Sequence, residues 1–285
     1  MQVNIRQAEQ RDAADCGSVC YQAFAALATA HNFMPDFPNA DVATGLFSML
    51  LGTKGLYAIV AELDGRIVGS NFVDERGVIH GIGPITIDPK VQNEGIGGRL
   101  MRAALTRTQQ KGAAGARLVQ GGYHCRSLSL YSKLGFEVRE HLCCLQGPVL
   151  VRETPGYHVR PAGEQDIVTC NALAERVHGH HRGAELRAAV SQGTATVAER
   201  GGCIKGYATQ IAFFGHACAE TTDDLKALIS ASKEFAGPGF LVPSRNGELL
   251  RWCLQNKLRI TQPLTLMTVG LYNEPAGAYL PSIIF

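Results

Sequence analysis

Gly83-Pro84-Ile85-Thr86-Ile87-Asp88-Pro89-Lys90-Val91-Gln92-Asn93-Glu94-Gly95-Ile96-Gly97-Gly98 decides the fold. Ile85, Thr86 and Ile87 are β-branched and read as a strand that Pro89 stops, and Leu100, Met101, Ala104 and Leu105 then recur at helical spacing. The glycines therefore fall at a helix N-terminus. Backbone N–H groups there have no partner within the helix, the helix dipole favours an anion, and residues without Cβ let phosphate oxygens approach the main chain. A tight turn uses the same glycines, so the loop alone leaves two readings open.

A second stretch narrows them. Arg126-Ser127-Leu128-Ser129-Leu130-Tyr131-Ser132-Lys133-Leu134-Gly135-Phe136 reads as a short helix closed by a glycine and followed by an apolar strand. Strand, glycine loop, helix, strand, then a helix ending Leu-Tyr-x-Lys-Leu-Gly-Phe resembles the order of the GNAT acetyltransferase superfamily, and the resemblance runs through residues 1–147. The family's pyrophosphate loop has Gln or Arg, two residues, Gly, any residue, then Gly or Ala, which maps onto Gln92, Gly95 and Gly97. The resemblance implies that backbone N–H groups of Asn93, Glu94, Gly95, Ile96, Gly97 and Gly98 hold the pyrophosphate of acetyl-CoA. It also implies that Ile85, Thr86 and Ile87 pair with the pantetheine arm as with an added strand.

The family's tyrosine maps onto Tyr131, implied to protonate the departing coenzyme A thiolate; a phenol, with a pKa near ~10, holds its proton at neutral pH. The other reading of Tyr131 is an aromatic packed on the sheet. Where the family often has Asn, seven residues before the tyrosine, this chain has His124, and a neutral imidazole makes the same kind of hydrogen bonds as an amide. No acid and histidine arrangement surrounds the neighbouring Cys125, and direct transfer from a thioester needs no covalent enzyme intermediate.

The rest of the chain agrees. Its 285 residues suit two domains, and 46% hydrophobic with 18% charged residues is ordinary for a protein with a sizeable core. A net charge of +2 without a basic run argues against nucleic acid as a partner. The start of the chain has no apolar signal-like stretch and no run of about eighteen apolar residues occurs, so neither secretion nor a membrane partner is expected and a cytoplasmic location is. Nine cysteines, an odd number without a C-x-x-C pair, disfavour a disulfide framework or a zinc site.

An internal near-repeat sets the domain count. Val3-Asn4-Ile5-Arg6 followed by Asp12 is echoed by Val159-Arg160 followed by Asp166, and the hairpin around Glu62 and Gly65 by the one around Glu199 and Gly202. The expectation is an α/β (α+β) protein of two tandem GNAT-like domains, each a mixed, mainly antiparallel sheet flanked by helices. Residues 1–147 would be catalytic and 157–285 degenerate, joined through Arg152–Gly156. In the second copy Glu220-Thr221-Thr222-Asp223-Asp224 stands where a pyrophosphate loop belongs, and Thr221 with Asp224 reads as a capping box that satisfies the groups a phosphate would need. Its apolar tail, Tyr272 to Phe285, is expected to dock.

Acceptor recognition is expected from outside the two motifs. The loop containing Phe33, Asp36 and Phe37 combines aromatics with an acid that offers a partner to an ammonium; it equally suits a plug for the core edge. His80 and Glu62 are candidate bases, His80 lying on the strand that enters the site. Val177-His178-Gly179-His180-His181-Arg182 is a candidate wall of the acceptor cleft, with no carboxylate at metal-ligand spacing. The expected activity is direct acetyl transfer from acetyl-CoA, without a metal, to an amine of a small molecule, by a monomer or homodimer. Alternatives are a coenzyme-A-responsive regulatory protein and an enzyme acting on protein amines. A Rossmann dehydrogenase is disfavoured because no acidic residue follows the loop at about twenty residues.

Overall fold

In the computed structural model, which describes residues 3–284, both halves begin alike. Strand β1 (Val3–Gln7) is followed by helices α1 (Ala13–Ala30) and α2 (Ala40–Gly52) and then by the hairpin β2 (Leu56–Leu63) and β3 (Arg66–Asp74). Asp64 and Gly65 join the hairpin at φ 52° and 78°, the two positive angles that a type I′ turn requires. The second half repeats the arrangement. Its members are β8 (His158–Pro161), α5 (Ile167–His178), α6 (Gly183–Ser191) and the hairpin β9 (Thr196–Arg200) and β10 (Cys203–Ala208), which turns at Gly201 and Gly202 with φ 59° and 73°.

The repeat extends to an ion triad. Arg6 reaches Asp12 at 2.7 Å and Glu62 at 2.8 Å; Arg160 reaches Asp166 and Glu199, both at 2.7 Å. Each arginine ties its first strand to the turn before the first helix and to the hairpin. Glu62 is therefore a structural carboxylate, not a free base.

The remaining elements of the first half are β4 (Ile79–Ile82), β5 (Thr86–Ile87), α3 (Ile96–Gln110), β6 (Gly115–Gly121), α4 (Cys125–Lys133) and β7 (Glu137–Gln146). Those of the second are β11 (Ala217–Ala219), α7 (Thr222–Ala231), β12 (Phe240–Pro243), α8 (Gly247–Gln255), β13 (Arg259–Gly270) and β14 (Ala278–Leu280). The fold is mixed α/β with mainly antiparallel sheets flanked by helices: among the described strand pairs only β4 with β6 is parallel.

The second half lends two strands to the first. The first sheet runs β1-β2-β3-β4-β6-β13-β7-β12, with β5 on β3, so two strands of the second half complete it; the other sheet runs β14-β11-β10-β9-β8. β13 is hydrogen-bonded to β6 on one side and β7 on the other, placing Met267 against Leu118 and Leu264 against Leu142. Met267, fully buried, belongs to the same core as Met101, Ala104 and Tyr131. The tail docks as β14 on β11; Met1, Gln2 and Phe285 lie outside the described residues. No helix among the described residues is long and apolar enough to cross a membrane.

Candidate active site

β4 and β6 part company. They pair from Ile79 with Gly115 to Gly81 with Arg117, after which the chain swings onto β3 as β5 while β6 continues to Gly121 against β13. Val73 faces Ile82 but Ser70 faces Thr86, so the returning chain has one residue too many and bulges at Pro84–Ile85. Gly69 permits the swing, because a Cβ there would stand 2.8 Å from the Thr86 carbonyl oxygen. The sheet thus forks, and beyond Arg117 the facing edges have no ladder partner in one another, which is the geometry that addition of an extra strand requires. Of the sequence-expected strand, Ile87 and Thr86 are in β5; Ile85 is in the bulge, and the Thr86 hydroxyl turns to Ser70 at 3.1 Å.

The glycine loop stands beside this slot. Gly95 is the N-cap of α3 at φ 78°, a left-handed conformation that costs other residues about 1–2 kcal/mol. Among the described residues, no backbone N–H from Asn93 to Gly98 donates to a protein acceptor, the state of the first amides of a helix before they meet solvent or an anion. Gln92 fixes the loop by donating to the Ile87 carbonyl at 3.1 Å and accepting from Arg126 at 2.6 Å. Arg126 also reaches the Asn93 side chain at 3.3 Å. This arginine, on α4 and exposed, is a functional candidate that spacing could not reveal, since only folding brings α4 to the loop. Replacing it with alanine is expected to weaken coenzyme A binding about tenfold, from one lost charge-assisted contact, with no change in melting temperature; calorimetric titration checks this.

Tyr131 is packed with Ile82, Ile85 and Leu118, residues from both sides of the fork. Its hydroxyl makes no hydrogen bond among the described residues, and burial pushes its pKa up, so it stays protonated. His124 precedes α4 with its Nε2 buried and unbonded; burial, then Arg126 and His31, lower its pKa and keep the ring neutral. Ser127 joins α4 to Gln120 at 2.8 Å, and Gln120 donates to Thr265 of β13 at 2.6 Å, so the strand from the second half helps hold α4.

The acceptor candidates separate. Phe33 stacks on Tyr123 with centroids 4.4 Å apart, and Gln262 of β13 links the Tyr123 hydroxyl, 3.3 Å away, to Asp36, 3.4 Å away. Burial raises the Asp36 pKa. Phe33 and Asp36 therefore border the end of β6, where the slot opens. Phe37 does not: it packs toward Phe24, in the core cluster of α1 and α2. His80 is also corrected. Ile79 and Gly81 line a recess facing the second half, so alternation turns His80 to the opposite side, beneath α3, where it is 3% exposed. Burial lowers its pKa and its Nδ1 has no hydrogen-bond partner, as suits a neutral core imidazole.

The equivalent place in the second copy is filled twice over. At α7 the Asp224 side chain accepts from the Thr221 N–H at 2.8 Å and from the Thr221 hydroxyl at 2.6 Å; the Tyr157 hydroxyl donates to its other oxygen at 2.9 Å. β14 meanwhile pairs with β11 on the side toward β12, where a fork would open. Asp224→Ala is expected to cost about 2–4 kcal/mol, from the lost cap and the buried hydroxyl left unpaired. Denaturant unfolding checks the loss, and titration should still find no coenzyme A bound in that half.

The site is a forked sheet with an amide-lined helix N-terminus at its mouth. Residues 54–138 match the family model of the acetyltransferase (GNAT) domain. Two solved structures match over nearly all of it. A Pyrococcus horikoshii protein assigned to the acetyltransferases is 17% identical, with a TM-score of 0.75 over 97% of this chain and 94% of that one. A GCN5-related N-acetyltransferase from Sphaerobacter thermophilus is 14% identical, with a TM-score of 0.63 over 95% and 96%. At such identities both speak for the fold alone. No curated protein matches the chain.

Proposed function

We propose that this protein transfers an acetyl group from acetyl-CoA to an amine of a small molecule, with the chemistry carried by residues 1–147 and the second half acting as a wall. The observation that supports it most is the set of N–H groups from Asn93 to Gly98, without protein acceptors and beside the open fork. They fit a pyrophosphate, Gln92 and Arg126 position them, and edges of β6 and the β4–β5 bulge fit the pantetheine. Tyr131, between the two edges, is the proposed acid, and His124 borders the same slot. The amine nitrogen attacks the thioester carbon; the C–N bond forms, the C–S bond breaks, the amine loses one proton and sulfur gains one. A small acceptor is favoured because the second half, through β13 and the segment after α5, covers the face from which an acceptor enters.

The test is calorimetric titration with acetyl-CoA, followed by thiol release in the presence of a panel of amines. One bound acetyl-CoA per chain and amine-dependent release support the reading. Absence of binding sinks it.

A further inference from the structure

Helix α1 crosses the fork on the face opposite α3. It packs on β5, and His31 at its end meets Tyr123, just past β6, with ring centroids 5.0 Å apart. The two helices take alternate residues of β2: Val60 shares a core with Cys16 and Cys20 of α1, and Ile59 and Ala61 share one with Ile96 and Leu100 of α3. The loop after α1 therefore fronts the fork from the side away from the glycine loop, and it carries Phe33 and Asp36.

Asp36 is half-buried in an uncharged setting. Gln262 donates to its Oδ1 at 3.4 Å; its other oxygen has no hydrogen-bond partner among the described residues, and no cation among them pairs with the carboxylate. Cys20, Tyr123 and Cys144 feel its charge, and burial keeps all three protonated. A carboxylate drawn partly out of water with one neutral donor is uncompensated, and a cation restores what burial took. The rings of Phe33 and Tyr123, with centroids 4.4 Å apart, belong to the same corner, and aromatic faces attract ammonium and guanidinium groups. The reacting nitrogen is not that cation, because it must be uncharged to attack the thioester and a carboxylate holds its proton on. Tyr131 packs with Leu118, whereas the Tyr123 ring folds over Gly121, about 10 Å further along β6 at about 3.3 Å per residue.

We infer that Asp36 is the counter-ion for a second positive charge on the acceptor, so that the substrate is a dicationic amine whose far ammonium or guanidinium sits against Asp36 and the Phe33 and Tyr123 rings while its free nitrogen reaches the fork. This rests on the acetyl-transfer reading above. Gln262, which orients the carboxylate, belongs to β13, so the second half takes part in choosing the acceptor.

The test uses the full chain with acetyl-CoA and acceptors matched in length, 1,4-diaminobutane, 4-aminobutan-1-ol and 4-aminobutyrate, with spermidine and agmatine for longer reach. At least one dication should have a kcat/KM tenfold or more above that of 4-aminobutan-1-ol, and 4-aminobutyrate should be the poorest. Asp36→Asn should lower the ratio of dication to amino alcohol tenfold or more; a loss shared equally by both would mark a general base instead and overturn the inference. As a measurement independent of turnover, calorimetric titration of the coenzyme A complex with spermidine should show binding at least tenfold weaker in Asp36→Asn. That variant should melt no lower than the wild type, since an amide relieves an uncompensated charge; a lower melting temperature would return Asp36 to a plug of the core edge. The inference is overturned as well if the amino alcohol or the amino acid is preferred, or if spermidine binds both proteins alike. None of these outcomes touches acetyl-CoA binding, whose absence would instead remove the proposed function.

Discussion

Residues 1–147 produced without the rest of the chain are expected to show no cooperative thermal unfolding and no measurable affinity for coenzyme A. β13 lies between β6 and β7 in the middle of the first sheet, and β12 closes the sheet's edge on β7. Removing them strips both ladders from β7 and one from β6. It also removes Leu264, Leu266 and Met267, none more than 3% exposed. Burial of each such side chain contributes about 1.5–3 kcal/mol, and a domain's net stability is only about 5–15 kcal/mol. The losses are comparable to the whole margin, before counting the unpaired edges that invite aggregation. The effect reaches the site, because Thr265 holds Gln120, which holds Ser127 at the start of α4. Co-expression of residues 148–285 should restore both melting and binding. A sharp melt from 1–147 alone, with coenzyme A bound, would contradict the dependence of the first sheet on β12 and β13.

Tyr131→Phe is expected to lower kcat about 100-fold, in the range for loss of a general acid, while the affinity for coenzyme A changes less than twofold and stability does not fall. The hydroxyl makes no hydrogen bond among the described residues, so its removal breaks none. Burial disfavours the phenolate, and the pKa moves up from its ordinary value near ~10. The acid form therefore persists above pH 9, and an alkaline fall in rate there should not come from this residue. A raised phenol is a weak donor, so its proton leaves only as the C–S bond breaks, and the proton shed by the attacking amine can replace it. Single-turnover rates of thiol release with both proteins check this. Equal rates would return Tyr131 to a packing role and favour a coenzyme-A-responsive regulator without turnover.

Much of the first half was legible in the sequence because its signals are local. The Asp64-Gly65 turn, the glycines before α3, Gly135 at φ 90° after α4, and the Thr221–Asp224 box each depend on backbone groups within a few residues of one another. The echo of Arg6 and Asp12 by Arg160 and Asp166 was legible for the same reason, and it proved to be a repeated ion triad. Of the segment from Val177 to Arg182, His178, His180 and Arg182 line a recess with Arg117 of the first half. His80 and Phe37 were misplaced because alternation and loop composition say that a residue is turned one way or the other, but not toward which neighbour.

The residues by themselves determined a glycine loop at a helix N-terminus, a tyrosine-bearing helix further on and a second copy whose corresponding helix N-terminus is capped by its own carboxylate. Only the tertiary structure decided that β13 belongs to the first sheet, that β14 pairs with β11 on the side toward β12 and that Arg117 lines a recess with histidines of the other half. The reason is physical. A strand buried on both faces carries no mark of which sheet will bury it, and the partners Leu118 and Met267 are brought together by packing across half the chain rather than by any pattern between them.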